Sequence, residues 1–333
     1  MKTRNVSFLA VCICILCFPV AGQTGIAYMA PLAKDSLLLD IEPVSSEKII
    51  AVGERGHILE STNGLDWQQQ AVPTTATLTG AFFLDSHLGW VVGHDATILV
   101  THDGGQNWVI QQQFPELEKP LMDIHFFDAQ HGIAIGAYGL FYRTENGGES
   151  WNRELHAELL GEDDRAYLDD LKAEDEQLYT QELSSILPHL NRLSSVVDGR
   201  IYMAGEAGLL AYSDDRGQNW QRMDVDYYGS FFAVQQQSSG KVLTAGLRGN
   251  IFRFSDDHWL PIDSHTTSSF NSIVDLAERG TLFVGNNGRM LILKAGKTEL
   301  SRTADGKAIV DALVFKGQII AATEAGIKLL DLK

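Results

Sequence analysis

The stretch TLTGAFFLDSHLGWVVGHDATILVTHDGGQNWVIQQQ, residues 77–113, reads as four short strands in succession. TLTGAFFLD (77–85), LGWVVGHD (88–95), TILVTHDG (97–104) and QNWVIQQQ (106–113) each carry β-branched and aromatic residues. Gly, Asp or Asn turns separate each from the next, so the unit folds as a four-stranded antiparallel sheet. Working outward, the small-residue turn inside it recurs along the whole chain. It stands at AVGERG (51–56), VVGHDA (91–96), AIGAYG (134–139), MAGEAG (203–208), TAGLRG (244–249), FVGNNG (283–288) and AATEAG (321–326). Five of these are followed by a tryptophan: Trp67, Trp108, Trp151, Trp220 and Trp259. A period of about 40 to 45 residues with β flanks is the signature of a propeller, one blade per repeat.

The expected fold is therefore all-β: a seven-bladed propeller of four-stranded antiparallel blades over residues 24–333 as one domain. The last repeat (AIVDALVF, QIIAATEAG, IKLLDLK) stops after three strands. Its missing outer strand would leave an unpaired edge, and such edges are liabilities. The segment IAYMAPLA (26–33) has the right length to fill it, so an N-terminal strand is expected to close the ring on blade seven.

Between blades three and four the spacing breaks. Gly136 to Gly205 spans 69 residues, roughly 26 more than the repeat needs. The segment 154–190 holds eleven acidic and two basic residues. It is rich in helix formers, and Leu168, Leu171, Leu178, Leu183, Ile186, Leu187 and Leu190 suggest one or two amphipathic helices. A charge-rich face is ordinarily solvated. The leucines imply that the other side docks on the propeller or on a partner.

The chain has 333 residues and a formal net charge of −17. That excess argues against nucleic acid, which needs a basic stripe. At the start, Lys2 and Arg4 precede an apolar run from Val6 to Val20, then Ala21 and Gly22. Residues 1–22 read as a signal peptide cleaved before Gln23, which implies a periplasmic or secreted protein. All three cysteines, Cys12, Cys14 and Cys17, lie in that run. The exported protein would then have no disulfide and no zinc-thiolate site.

The link from third to fourth strand carries the pattern [ST]-x-[DN]-x-G-x-x-W, known as the Asp-box or BNR motif. Its candidate structural residues are Asn63 and Trp67, Asp103 and Trp108, Asn146 and Trp151, and Asp215 and Trp220. An Asp or Asn side chain accepts from backbone N–H groups of the turn, and the glycine supplies a conformation that a Cβ resists. The tryptophan then buries a large ring. A device repeated blade after blade is fold chemistry before it is a ligand site.

The sequence also resembles a known family. Phe82-Phe83-x-Asp85 through Gly89-Trp90-Val91-Val92-Gly93, repeated from Phe126-Phe127 through Gly132 and Gly136 and followed by the DGGxxW turn, is similar to the photosystem II stability/assembly factors. The resemblance covers about residues 35–330. It implies a BNR-type propeller that acts without catalysis as an assembly factor for a membrane-protein subunit, lumenal in a photosynthetic host. This chain departs from the family in its acidic insert and its sparse arginines.

In a four-stranded blade, the turns between second and third strands share one face with the crossovers between blades, and therefore with the insert. Loops on a rigid scaffold carry binding. The candidate partner-binding residues on that face are Arg55, His94, Asp95, Tyr138, Glu206, Arg248, Asn287 and Arg289. Mixed charge with a tyrosine suits a protein-binding rim. The expected partner is a protein, a membrane-complex subunit, with no nucleic acid, small-molecule substrate, cofactor or metal. The enzymatic alternative is a sialidase-like glycoside hydrolase, since those enzymes also carry Asp boxes. It would need an arginine cluster, and residues 24–54 contain no arginine. A second alternative is a structural accessory of an envelope exporter.

Overall fold

A computed structural model describes residues 25–195 and 199–332. The expected signal peptide at 1–22 lies outside the described residues. Six sheets have four strands and one has three, each antiparallel and in simple sequence order from inside to outside. The inner strands are Leu38–Ser45, Leu78–Phe83, Leu121–Phe126, Leu190–Ser195, Phe231–Gln236, Phe270–Asp275 and Ile309–Phe315. They neighbour one another in order, and the seventh neighbours the first. The chain is thus a closed seven-bladed propeller.

The second strands explain why the sequence shows apolar runs rather than strict alternation. Gly89–Gly93, Gly132–Gly136, Ile201–Gly205, Val242–Gly246 and Thr281–Gly285 are buried at every residue. Each is sandwiched between two neighbouring blades, so both faces must be apolar. Seven apolar clusters result, one per interface between blades. Trp90 lies in one of them, stacked on Phe126 of the next blade with centroids 3.4 Å apart.

The ring closure differs from expectation. The last sheet has three strands, Ile309–Phe315, Gln318–Thr323 and Gly326–Leu330, and no segment of the described residues adds a fourth. Residues 26–33 run beside blade one instead. Ala27 N–H donates to Val72 O (2.9 Å), and the Gln69 side chain bonds both Ala30 N–H and Tyr28 O. Closure comes from face-to-face packing, in which Leu38, Ile41, Ile49 and Leu59 of blade one meet Phe315, Ile320 and Ala322 of blade seven. Sheet faces bury far more apolar area than an edge strand could add. The free edge, Gly326–Leu330, is short and carries Lys328, features that discourage edge pairing.

The insert forms two helices, α1 (Glu162–Glu174) and α2 (Glu176–Ile186). Asp175 breaks them apart and caps α2, accepting from Gln177 N–H and Leu178 N–H at 2.9 and 3.0 Å. Leu159, Leu160, Leu168, Leu183 and Leu187 are buried against Ile135, Phe141, Met203, Leu209 and Trp220 of blades three and four. The leucine side therefore docks on the propeller, and the acidic side faces water.

Candidate partner-binding face

Six of the seven turns between second and third strands follow one backbone path. Each second strand ends in a glycine whose Cβ would strike the chain entering the inner strand: on Gly246 it would lie 2.1 Å from Ser230 O. Two residues on, the backbone turns left-handed at Arg55 (φ 57°), Asp95 (59°), Tyr138 (54°), Ala207 (52°), Arg248 (57°) and Asn287 (59°). In all but Asp95's blade a left-handed glycine follows, and there it is Ala96. Two such residues in succession reverse the chain tightly. The first side chain is left at the tip.

This path brings most of the candidate residues to equivalent places on one face. Arg55, His94, Tyr138, Arg248 and Asn287 are exposed, and Asp95 is half-buried. Glu206 bends back onto the crossover while staying partly exposed: its Oε2 accepts from His189 N–H at 3.2 Å, as Glu54 Oε1 accepts from Leu37 N–H at 3.3 Å. Arg289 is not at a tip. It is the half-buried first residue of strand Arg289–Lys294, directly opposite Arg302. His189 and Lys119 were not legible from the repeat: His189 meets the Tyr138 ring edge-on at 4.3 Å, and Lys119 Nζ stands 5.2 Å from its centroid. Burial lowers the Lys119 pKa, with Arg153 adding to the effect.

The Asp-box turns occupy the opposite end of the blades, beside the first-to-second-strand turns; Gly104 N–H donates to His87 O at 2.8 Å. In blade two, Asp103 Oδ1 accepts from Thr101 Oγ1 (2.8 Å) and Asn107 N–H (2.9 Å), and Trp108 Nε1 donates to Gly105 O (3.0 Å). The Asn107 side-chain amide, which also donates to Asp103, and its backbone N–H hold the Asp103 pKa down at about 2. Asp215 binds Ser213 and Asn219 in the same way, Asn146 binds Thr144 and Ser150, and Asn63 binds Ser61 and Asp66. Trp108 and Trp220 are 6 % and 4 % exposed, each packed into the interface with the preceding blade. Trp67 and Trp151 are partly buried against equivalent interfaces. These side chains are engaged in turn and core, which leaves little of them for a ligand.

A second polar constellation lies in the central channel. A register shift at the start of every inner strand, a β-bulge or irregularity, precedes one position per blade: Asp40, Gly80, Asp123, Arg192, Ala233, Ser272 and Asp311. The three aspartates each tie one blade to the next through a backbone N–H: Asp40 to Ala81, Asp123 to Leu193 and Asp311 to Ile41. Arg192 Nη1 lies 3.1 Å from Asp40, and its Nε 4.0 Å from Asp123. Burial raises the Asp40 pKa well above its ordinary value, against Arg192 and with Asp311; burial likewise raises Asp123. Burial opposes the Arg192 charge, but Asp40, Asp123 and Asp311 outweigh it and push its pKa higher still. The available signal was a charged residue at the third position of an otherwise apolar inner strand. Among the described residues, no three His, Cys, Asp or Glu side chains are grouped to hold a metal ion.

Fold and turns define the class, a seven-bladed propeller of the BNR type. Within that class the chain is similar to the photosystem II assembly factors. The family described as "Photosynthesis system II assembly factor YCF48" matches residues 59–119, and the BNR/Asp-box repeat matches residues 211–222. A photosystem II assembly lipoprotein Ycf48 of Synechococcus sp. (strain CC9902) is 22 % identical over 209 residues, 61 % of this chain and 55 % of the relative. The chloroplastic photosystem II stability/assembly factor HCF136 of Arabidopsis thaliana is 24 % identical over 223 residues, 64 % of this chain and 51 % of the relative. The chain thus spans about half the length of these curated relatives. A solved structure of YCF48 bound to D1 peptide superposes with a TM-score of 0.65 at 18 % identity, covering 91 % of this chain and 95 % of the other. At that identity the likeness concerns the fold alone. The relatives are named as assembly proteins, not as enzymes.

Proposed function

We propose that this chain is an exported, non-catalytic docking propeller, an assembly or stability factor for a membrane protein complex. Residues 24–333 form its one domain, and the partner binds on the face of the left-handed turns. One observation carries the reading: a repeated turn throws Arg55, Tyr138, Arg248 and Asn287 outward from a rigid ring. A propeller face of this kind offers about 800 Å² per partner, enough for a specific interface. The names of the relatives, and the D1 peptide on the solved YCF48, support a protein partner from a membrane complex. The charged start at Lys2 and Arg4 and the apolar run from Val6 to Val20 support export. The sialidase alternative is disfavoured, because the arginine lining the channel, Arg192, is already claimed by carboxylates.

The test is affinity purification from solubilised native membranes with the wild-type chain and an Arg55→Glu/Arg248→Glu variant. The wild type should retain subunits of one membrane complex, and the variant should lose them at an unchanged melting temperature. Equal capture by both moves the interface elsewhere. Hydrolysis of a sialoside would overturn the non-catalytic reading.

A further inference from the structure

A concavity of about 1210 Å³ opens beside the blade-four turn, whose Ala207 and Gly208 form part of its wall. Its walls are the start of α1, the outer strand of blade four (Gln221–Arg222) and the crossover 223–230 that leads into blade five. Six carboxylates line it: Glu162, Asp163, Asp164, Asp224, Asp226 and Glu158. Glu158 is held by His156 at 2.8 Å, and none of the other five forms an ion pair with a lysine, arginine or histidine among the described residues. The first three have a structural reason to be there, because acids at a helix N-terminus complement its dipole. Asp224 and Asp226 have no such reason. They sit on a crossover strap, yet line the same groove from the other side.

The remaining lining is also informative. Arg222 is committed to the wall: its guanidinium donates to Leu159 O (2.6 Å) and Ala207 O (3.0 Å), tying insert to blade. Arg222 keeps its charge there, so Arg222, Arg165 and His258 stand against the five unpaired carboxylates, and Asp224 and Asp164 act on Arg222. Tyr228 stands on the rim 87 % exposed, although tyrosine ordinarily buries its ring. Met223, Val225 and Ile186 supply apolar floor. The volume exceeds the roughly 300–1,000 Å³ of small-molecule sites.

We infer that this groove docks an extended lysine- or arginine-rich peptide segment. Such side chains lay apolar stems on a floor like this one while their charged ends reach carboxylates on both walls. Tyr228 supplies the exposed aromatic that anchors interfaces of this kind and accepts a cation over its ring. The inference goes beyond ring-face docking and uses none of Arg55, Tyr138, Arg248 or Asn287.

The experiment is fluorescence anisotropy with a labelled ten-residue peptide of alternating lysine and glycine, and a glutamate–glycine peptide as control. The lysine peptide should bind the full chain, the glutamate peptide should not, and raising salt from 50 to 300 mM should weaken binding severalfold. Asp224→Asn/Asp226→Asn should weaken binding at least tenfold, as should Tyr228→Ala, with melting temperatures unchanged. Removing the same number of charges from the outer side of α1, Asp169→Asn/Asp170→Asn, should change affinity less than twofold. Arg55→Glu/Arg248→Glu should not weaken binding, which separates this site from the ring face. Equal losses from the groove and outer pairs would reduce the effect to net charge and overturn the inference. Binding unaltered by the groove variants, or absent in the wild type, would overturn it too.

Discussion

Arg192 of blade four reaches Asp40 of blade one across the central channel, with Nη1 3.1 Å from Oδ1 and 152 residues of chain between them. The Asp311 charge adds to the raised Asp40 pKa, and Asp311 accepts from Ile41 N–H. One guanidinium therefore serves carboxylates from three blades. Buried ion pairs are weak stabilisers as wholes but costly to break from one side.

Arg192→Met should accordingly lower unfolding free energy by about 3–5 kcal/mol, because buried carboxylates lose their counter-charge. Asp40→Asn keeps an acceptor for Ala81 N–H and should cost far less. The pH dependence separates them further. The Asp40 pKa is raised in the folded state, so its share of stability is present below the usual 3.8 and fades as pH rises through the raised value. Asp40→Asn should flatten that decline in urea melts taken at pH 5 through 9.

The cluster at the start of the insert works the other way on its acid limb. Glu154 takes two bonds from Arg143, at 2.7 and 3.0 Å, and one from His156 at 3.2 Å, while His156 also meets Glu158 at 2.8 Å. Burial opposes the Glu154 charge, but His156 and Arg143 outweigh it and hold its pKa at about 2. Its stabilisation is present above the ordinary 4.5 and lost as pH falls toward 2. The His156 pKa is raised despite burial, by Glu154 and Glu158, so its share is present below 6.5 and lost as pH rises through the raised value. His156→Gln should remove the alkaline decline and leave the acid one in a pH series of thermal melts.

Trp108→Ala should cost about 3–5 kcal/mol, the range for truncating a buried aromatic. Asp103→Ala should cost about 1–3 kcal/mol through the turn donors it leaves unpaired. Chemical denaturation of both variants checks the order. A negligible loss for Trp108→Ala would mean that the ring is not part of the blade-one to blade-two interface.

Gly246→Ala should be among the worst small substitutions, because its Cβ would lie 2.1 Å from Ser230 O and 2.8 Å from Phe231 Cα. Overpacking of backbone against backbone costs typically 1–3 kcal/mol, sometimes more. Gly240→Ala meets nothing within 4 Å and is strained only by its φ of 80°, so about 1–2 kcal/mol is expected. Thermal melts of the pair separate steric approach from backbone conformation.

Excising 161–186 should retain the β circular dichroism signal but lower the melting temperature. The cut removes Leu168 and Leu183 from their places against blades three and four. Each kcal/mol lost corresponds to about 2–4 °C for a domain of 150–250 residues. An unchanged melting temperature would mean that these leucines do not dock on the blades.

The blades were legible because local chemistry repeats. A turn that needs glycine for close approach, and an Asp-box that ties itself, leave their marks within a few residues of chain. Seven such marks at one spacing fixed strand order, pairing and the face on which Arg55, Tyr138 and Arg248 emerge. The same logic misplaced Arg289, since sequence proximity to a turn does not separate a tip from the strand that follows it. Glu206 is drawn back from the tip for a similar reason, because its backbone partner at His189 comes from the preceding crossover.

Tertiary structure alone decided what depends on residues far apart in sequence. The route of residues 26–33 toward Val72 and Gln69 turned on which neighbour offered bonds, and an edge-strand argument could not rank them. Arg192 became the hub of the channel only once the inner strands stood around one axis. Asp224 and Asp226 met α1 across a groove only once the insert had docked. Periodic sequence encodes each blade through neighbours in the chain, whereas the channel, the groove and the closure are made of encounters that only the closed ring creates.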